Sequence, residues 1–310
     1  MSDHTFDLSG KVAIITGGNG GIGLGIAKGL GRAGADIVVA ARNRTKTEDA
    51  VGQLQELGMR ALGLTTDVTD EASVAAMATA SREEFGRVDI LVNNAGISVR
   101  KPPQEYTLKE WSGVIDVNLT GTFLCAREVY PHMAESGGGK IINIGSLASI
   151  FGIDWLSSYA ATKGGVVQLT KSLALAWAKD NIQVNAILPG WIHTDLTAPI
   201  KNQYPERYAS ITSRIPQGRW GEPEELEGSP SFWPAMPPTT SRVRPSWWTA
   251  DTPRSRGCRA RHEVCLSTLS PASSCTPMQP DITSVAQVLT GWWVQGMRHT
   301  LNTGRGQRCL

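Results

Sequence analysis

The chain has 310 residues, of which 41% are hydrophobic and 19% are charged, and its formal net charge is +2. This is the composition of a globular protein with one large or two ordinary domains, and its charge gives no reason to expect nucleic acid or a membrane as the main partner. No apolar run reaches the roughly 18–20 residues that span a bilayer, and the N-terminus lacks a secretory signal pattern, so we expect a cytoplasmic protein.

Short β-branched runs alternate with amphipathic stretches from residue 11 onward. The runs VAIIT, DIVVAA, ALGLTTDV, DILVNNAG, KIINIGS and IQVNAILPG predict six strands before residue 190. The periodicity between them predicts helices over about 22–33, through VGQLQEL, and over about 71–85, 109–135 and 157–179. This alternation indicates βαβ units, so we predict an α/β fold: a doubly wound parallel sheet of the Rossmann type, in three layers.

The sequence changes character after Gly228. Residues 229–310 contain nine Pro, nine Arg, no Lys, three acidic residues and four of the five Cys. They show little sustained periodicity, and we expect them to bury too little apolar surface to offset an ordering entropy of ~1–2 kcal/mol per residue. We therefore predict a Rossmann-type domain over residues 1–228, incomplete at its C-terminal end, and a disordered tail over 229–310.

A glycine-rich turn joins the first strand to the first helix. It reads Thr-Gly-Gly-Asn-Gly-Gly-Ile-Gly over residues 16–23. Glycine lets backbone N–H groups approach a pyrophosphate, and the helix N-terminus adds partial positive charge. The turn predicts a dinucleotide site, although an ordinary strand-to-helix loop can also be rich in glycine.

A tyrosine and a lysine lie four residues apart in the predicted helix over 157–179. In Tyr-Ala-Ala-Thr-Lys, this spacing places Tyr159 and Lys163 on one helix face. The ammonium favours phenolate, so we expect it to lower the tyrosine pKa from about 10 toward the range of a general acid or base. Ser146 ends the strand KIINIGS, where its hydroxyl could hold a substrate oxygen. Alone, such a Tyr/Lys pair is also common on exposed helices.

The same order of motifs is found in a known enzyme family. Asn-Asn-Ala-Gly follows the fourth strand, Asn118 lies in the predicted helix over 109–135, and Ser146 and Tyr-x-x-x-Lys follow. Together with the glycine turn, these motifs make residues 8–228 resemble the classical short-chain dehydrogenase/reductase family. The resemblance implies a homotetramer, an expectation that the altered C-terminus puts in doubt.

The resemblance implies roles for individual residues. Tyr159 would donate or accept the proton, Lys163 would lower its pKa and bind the nicotinamide ribose, Ser146 would orient the reacting oxygen, and Asn118 would hold a water in a proton relay. Asp67 and Val68 match the family's adenine contact. The implied cofactor contacts, besides Tyr159 and Lys163, are Gly17, Asn19, Gly21, Ile22, Gly23, Asp67, Val68, Asn94, Ala95, Gly96, Pro189, Gly190, Ile192 and Thr194.

The residues after the second strand bear on the choice of cofactor. An acid at its end would accept the 2′-hydroxyl of NAD, but this chain has Ala41 followed by Arg42. An Arg can pair with a 2′-phosphate through its planar guanidinium, and Arg44 could assist. The sequence therefore favours NADP(H), with NAD(H) as the alternative if Arg42 is only a solvated charge.

The substrate is less strongly indicated. The run RKPPQEYTLKEW and the segment from Tyr159 through LPGWIHTDLT are similar to bacterial sugar-acid dehydrogenases of the gluconate 5-dehydrogenase and 2-deoxygluconate 3-dehydrogenase type. Arg100 and Lys101 would then attract a substrate carboxylate at the mouth of the site, unless both are rim charges. A 3-oxoacyl-carrier-protein reductase, which shares the catalytic set, is the alternative enzyme.

The resemblance ends abruptly near Gly228, and a shifted reading frame explains why. Trp and Met have single codons. Joining the third base of each codon to the first two bases of the next therefore forces Ala at Trp233-Pro234, Ala at Met236-Pro237, Val at Trp247-Trp248 and Asp at Trp248-Thr249. All four match the family. We therefore favour a one-base loss near codons 227–228.

A different class of function is an inactive NADP-binding protein whose tail contacts nucleic acid or a membrane. The tail opposes this alternative, because it contains no recognisable binding module and its cysteines lack the spacing of a metal site.

Overall fold

A computed structural model describes residues 7–228 and the backbone of 246–248. The strands are β1 Val12–Thr16, β2 Asp36–Ala41, β3 Ala61–Thr65, β4 Ile90–Asn93, β5 Gly139–Ile144, β6 Ile182–Pro189 and β7 Ser246–Trp248. The α-helices are α1 Gly21–Arg32, α2 Arg44–Glu56, α3 Glu71–Phe85, α4 Leu108–Ile115, α5 Gly121–Glu135, α6 Ser157–Trp177, α7 Ala198–Gln203 and α8 Pro205–Thr212. Among the described residues, no helix combines the length and apolar character needed to cross a membrane.

The strands form one parallel sheet in the order β3-β2-β1-β4-β5-β6-β7. The order reverses between β1 and β4, which pair so that Thr16 lies beside Asn93. In open α/β sheets, ligands bind outside the carboxyl ends of the strands at such a reversal. The predicted doubly wound sheet is confirmed, and it places the loops that follow β1 and β4 next to each other.

Two apolar layers are buried, one on each face of the sheet. In β1 and β4, Ile14 and Leu91 belong to one layer, whereas Ile15 and Val92 belong to the other. Because successive strand residues point to opposite faces, strands covered on both sides are apolar throughout. This explains why the strands appear in the sequence as continuous apolar runs, and it fixes the strand ends that carry the site.

The predicted helix over 109–135 is a continuous helical run with one irregular turn. Its start is capped by Thr107, whose hydroxyl accepts from the N–H of Glu110 at 3.2 Å while the Glu110 carboxylate accepts from the N–H of Thr107 at 2.9 Å. A π-helical turn over Asp116–Thr120 separates α4 from α5. Such turns are rare and occur frequently at functional sites, and this one contains Asn118.

The outer edge of β6 is partly covered. The sequence predicted a domain that is incomplete at its C-terminal end, and in the structure a short strand, Ser246–Trp248, pairs in parallel with Ile187, Leu188 and Pro189. These three residues belong to the predicted tail, and they can join the sheet because main-chain pairing needs an extended backbone but no particular side chains. The prediction of disorder in the tail otherwise concerns positions outside the described residues.

Candidate active site

The end of β5 and the start of α6 bring the predicted Ser, Tyr and Lys together. The Ser146 hydroxyl acts on the Tyr159 side chain, whose pKa it lowers, and it accepts from the N–H of Ala148 at 3.1 Å. Ser149 fastens this turn to α6, because its hydroxyl donates to the carbonyl oxygen of Lys163 at 2.8 Å and accepts from the N–H of Ser146 at 3.1 Å. The hydroxyl of Ser146 is thereby held against the phenol.

Lys163 is almost fully buried beside Tyr159. Its Nζ lies 5.6 Å from the centroid of the Tyr159 ring and donates to the carbonyl oxygen of Ile144 at 2.6 Å. The same Nζ is 3.8 Å from the point where a side chain on Gly96 would begin. Burial lowers the pKa of Lys163 from 10.5 to about 8, since the ammonium loses its hydration. The ammonium therefore borders the open space left by Gly96.

We expect the free energy of unfolding to depend on Lys163 at alkaline pH. Between pH 8 and 10.5 the unfolded chain binds the lysine proton while the folded chain has lost it, so stability rises with pH by up to about 1.4 kcal/mol per unit. Urea unfolding at pH 8 and pH 10 should show a larger gain in the natural chain than in Lys163→Met. An equal gain in both would contradict the lowered pKa.

The pKa of Tyr159 differs from the expectation that Lys163 lowers it. Burial raises the pKa above its ordinary value of 10, and the hydrogen bond from Ser146 and the charge of Arg100 lower it by less. Lys163, whose Nζ donates to the carbonyl oxygen of Ile144, does not offset this effect of burial on the pKa of the phenol. In the ligand-free protein the phenol is therefore neutral at pH 7, ready to donate its proton.

Asn118 is fully buried in the π-helical turn and joins the loop after β4 to α6. Its Nδ2 donates to the carbonyl oxygen of Ile97 at 3.0 Å and to the Thr162 hydroxyl at 3.2 Å, while its Oδ1 accepts from the N–H of Ile97 at 2.8 Å. The Thr162 hydroxyl donates in turn to the carbonyl oxygen of Tyr159 at 2.7 Å. Asn118 thus holds the cofactor-side loop against the helix that carries the phenol.

The glycine-rich turn is held by polar groups that follow β4. Gly17 and Gly21 have φ values of +63° and +50°, which side chains with a Cβ rarely adopt. The Thr16 hydroxyl accepts from the N–H groups of Asn94 and Ala95 at 3.1 and 3.2 Å, and Asn94 Nδ2 donates to the carbonyl oxygen of Gly17 at 3.0 Å. The turn is therefore formed before any ligand binds.

A cavity of about 370 Å³ lies over this turn, at the reversal of strand order. The predicted cofactor residues that line it are Gly17, Asn19, Gly21, Ile22, Arg42, Asp67, Val68, Asn94, Ala95, Gly96 and Thr194. Gly23 lies beneath them, where a Cβ would overlap the carbonyl oxygen of Gly17. Thr66 also borders the cavity, and its buried hydroxyl has no hydrogen-bond partner among the described residues. This lining fits a phosphate-bearing nucleotide.

Of the two basic residues expected to reach the cofactor near the end of β2, only one lines the cavity. Arg42 lines the cavity. Arg44 does not, because its Nε donates to Glu48 at 2.7 Å on the exposed side of α2. Lys46, which the sequence analysis missed, lines the cavity instead. The available signal was its position in the first turn of the helix that follows Arg42, from which its side chain reaches back over the glycine turn.

Asp67 follows β3 and keeps its charge. Its Oδ1 accepts from the N–H and the hydroxyl of Thr69 at 2.9 and 2.8 Å. These bonds, and to a smaller extent the charge of Arg42, hold the pKa of Asp67 below its ordinary value of 3.8. The next residue, Val68, is buried against the start of α5, where a Cβ on Gly121 would crowd it. This edge of the cavity is consequently fixed.

The loop after β6 carries the remaining predicted contacts. Pro189 ends β6 and Gly190 follows it. Further along, the Thr197 hydroxyl donates to the carbonyl oxygen of Ile192 at 2.7 Å and accepts from the N–H of Thr194 at 3.0 Å. These bonds shape the loop so that Thr194 reaches the cavity, whereas the other three predicted residues do not line it.

Arg100 and Lys101, the two predicted substrate residues, have different surroundings. Lys101 Nζ contacts both carboxylate oxygens of Glu110, at 2.7 and 2.9 Å, so its charge is already paired. The guanidinium of Arg100 donates to the carbonyl oxygen of Leu196, and its Nε is buried with no partner among the described residues. The charge of Arg100 acts on Tyr159, whereas the charge of Lys101 is paired with Glu110.

Known proteins are similar to this chain in sequence. A profile of the short chain dehydrogenase family matches residues 11–205. The chain is 42% identical over 230 residues to 2-dehydro-3-deoxy-D-gluconate 5-dehydrogenase of Dickeya dadantii, covering 74% of this chain and 90% of that protein. It is 40% identical over 228 residues to 5-keto-D-gluconate 5-reductase of Escherichia coli strain K12, covering 73% and 89%.

Solved structures agree with the sequence comparisons. A Beutenbergia cavernae protein assigned as an NAD(P)-dependent gluconate 5-dehydrogenase, solved with NADP bound at low occupancy, is 38% identical with a TM-score of 0.70. The match covers 74% of this chain and 91% of that one. The family profile, the identity and the shared fold agree with one another, and the chain therefore belongs to the short-chain dehydrogenase family.

Proposed function

We propose that the protein is an oxidoreductase that transfers hydride between NADP(H) and a secondary alcohol or ketone of a sugar acid, such as gluconate or 5-ketogluconate. The observation that carries the substrate class is Arg100, a half-buried cation whose charge acts on the phenol of Tyr159 and which has no carboxylate partner among the described residues. The relatives from Dickeya dadantii and Escherichia coli are named for sugar acids, which supports the same substrate class.

The proposed cofactor is NADP(H), with NAD(H) as the weaker alternative. Gly17, Gly21 and the N-terminus of α1 would hold the pyrophosphate through backbone N–H groups. Arg42 borders the cavity at the place where an acid would select NAD, and its guanidinium suits a 2′-phosphate. The NADP found in the Beutenbergia cavernae neighbour supports this choice. When bound, the nicotinamide ring supplies or accepts the hydride.

The protein's own residues handle the proton and the orientation of the substrate. In reduction, Tyr159 donates its phenolic proton to the substrate oxygen, which the Ser146 hydroxyl holds. The ammonium of Lys163, 5.6 Å from the ring centroid, stabilises the phenolate that remains and is free to bind a ribose hydroxyl beside Gly96. Asn118 keeps the loop after β4 against α6 and would position a water that returns the proton to Tyr159.

A substrate carboxylate bound to Arg100 would offset the free-energy cost of burying this cation. Burial lowers the pKa of Arg100, which means that the charged form loses hydration without an ionic partner among residues 7–228. A buried N–H without a partner is likewise unfavourable. A substrate carboxylate relieves both penalties, because it offers two oxygens to the guanidinium fork. Binding energy would therefore be gained by an acidic substrate and not by a neutral one.

Steady-state assays with a small panel of substrates test the proposal. Gluconate and 5-ketogluconate, a neutral polyol, and a 3-oxoacyl thioester should be offered with NADP(H) and with NAD(H). We expect the highest kcat/KM for a sugar acid with the phosphorylated cofactor. Preference for the thioester would favour the 3-oxoacyl-carrier-protein reductase instead, and cofactor binding without turnover of any substrate would favour an inactive binding protein.

We also propose that residues 1–228 form the catalytic domain and that the natural assembly is a homotetramer in the cytoplasm. Large apolar side chains remain exposed on helices of the isolated chain, among them Leu108 and Leu175 at 78% and 81% exposure, and subunit contacts would cover them. Cys125 is free and buried, as suits a reducing compartment.

A frame-restored chain should be more stable and more active than the 310-residue chain. The chain still packs on α1 as far as residue 227, because a Cβ on Gly29 would overlap the carbonyl oxygen of Glu227. Beyond this, β7 covers only three of the eight residues of β6. We expect restoration to raise the unfolding midpoint by about 5 °C or more, with higher kcat/KM and tetramers in light scattering. Equal turnover and midpoints would contradict the proposed incompleteness.

A further inference from the structure

Lys46 places a second cation at the corner of the cavity that Arg42 borders. Its Cε and Nζ are 3.0 Å from the point where a side chain on Gly20 would begin, so the ammonium lies over the glycine turn. Asn43 caps the same helix, its Oδ1 accepting from the N–H of Lys46 at 3.0 Å. Arg42, Asn43 and Lys46 all line the cavity. The end of β2 and the first turn of α2 therefore bring two cations and the positive end of a helix to one place.

The present partner of Lys46 comes from the loop after β6. The ammonium contacts the Oδ2 of Asp195, and the two side chains are 43% and 86% exposed. An exposed ion pair contributes little to stability, because both charges remain hydrated when it opens. Asp195 also lines the cavity, so its carboxylate lies where a bound nucleotide would bring its own negative charge. A phosphate dianion attracts the ammonium more strongly than one carboxylate does.

We propose that Lys46 is a second specificity-determining residue for the 2′-phosphate of NADP(H), and that Asp195 competes with this phosphate for the lysine. The inference rests on the proposed use of NADP(H). With NADP(H), Lys46 exchanges the carboxylate for the phosphate and adds its charge to that of Arg42. With NAD(H), a hydroxyl takes the place of the phosphate, and Lys46 keeps Asp195. Specificity thus resides in two cations, one of which is neutralised in the free enzyme.

Calorimetric binding of NADP⁺ and NAD⁺ to the full-length protein tests the proposal without relying on turnover. We expect Lys46→Gln to weaken NADP⁺ binding about tenfold and to change NAD⁺ binding by less than about twofold, because only NADP⁺ loses a charge-assisted contact. Asp195→Asn should tighten NADP⁺ binding and leave NAD⁺ binding unchanged. The matched control is Arg44→Gln, which removes an equal charge two residues away from a side chain paired with Glu48. It should leave both affinities unchanged.

The possible results separate this inference from the proposed cofactor. Equal losses for both nucleotides in Lys46→Gln would mean that the lysine only supports the loop, and the inference would be lost. Weaker NADP⁺ binding in Asp195→Asn would overturn the competition. If Arg42→Gln abolishes the preference for NADP⁺ while Lys46→Gln keeps it, the cofactor assignment stands and this inference fails. A natural chain that binds NAD⁺ as tightly as NADP⁺ would remove the cofactor assignment itself.

Discussion

Tyr159→Phe is expected to lower kcat by roughly a thousandfold, in line with the 10²–10⁴-fold that a positioned proton donor contributes. The substitution removes one oxygen and keeps the ring against the ammonium of Lys163, which lies 5.6 Å from its centroid. The affinity for NADPH should therefore hardly change. Steady-state turnover combined with fluorescence titration of NADPH measures both quantities in the same preparation.

A matched control distinguishes the loss of the proton donor from the effect of removing any tyrosine hydroxyl. Tyr130 donates its hydroxyl to Asp180 at 2.8 Å, away from the cavity, so Tyr130→Phe should keep its turnover.

The raised pKa of Tyr159 adds a test of the pH dependence of each direction of the reaction. Because the phenol is protonated at neutral pH, oxidation by the natural enzyme should accelerate as pH rises, whereas reduction should not. Turnover by Tyr159→Phe above about a tenth of the natural rate would contradict the assignment.

The core of the site could be predicted because it depends on short spacings and on strand order. Four residues along a helix place Tyr159 and Lys163 on one face, whatever lies around them. A parallel sheet brings the carboxyl ends of its strands to one edge, which is why the turn after Thr16 and the loop at Asn94 meet. Buried strands with two covered faces likewise have a clear apolar signature.

The features of the site that could not be predicted from the sequence depend on contacts between distant parts of the chain. Lys46 and Asp195 are 149 residues apart. No local sequence pattern predicts that helix α2 and the loop after β6 meet over the glycine turn. The direction of the pKa shift of Tyr159 depends on how deeply α6 is buried, which spacing does not encode. Similarly, Lys101 pairs with Glu110, nine residues later, and so does not face the site. Glu110 is held there because it caps α4 together with Thr107, which the charge pattern alone did not predict.

Arg100→Ala is expected to raise KM for a sugar acid roughly 10- to 100-fold, the range for losing a charge-assisted hydrogen-bonded pair. A neutral polyol should be affected far less, because it has no carboxylate for the guanidinium to bind. The comparison is sharpest between gluconate and its neutral amide, which differ only in the group that faces the cation. Steady-state kinetics at saturating NADP⁺ give both KM values, and kcat should fall much less than kcat/KM.

Because the Arg100 guanidinium also binds the carbonyl oxygen of Leu196, the variant could act by loosening the loop after β6. Such loosening would disturb acidic and neutral substrates alike, so equal effects on the two would remove the carboxylate assignment. Lys101→Ala is the adjacent control: its ammonium is paired with Glu110, so its removal should leave the preference for the acid unchanged. Arg100→Lys keeps the charge and loses the planar fork, and we expect it to restore part of the preference, since a carboxylate binds the fork at two points.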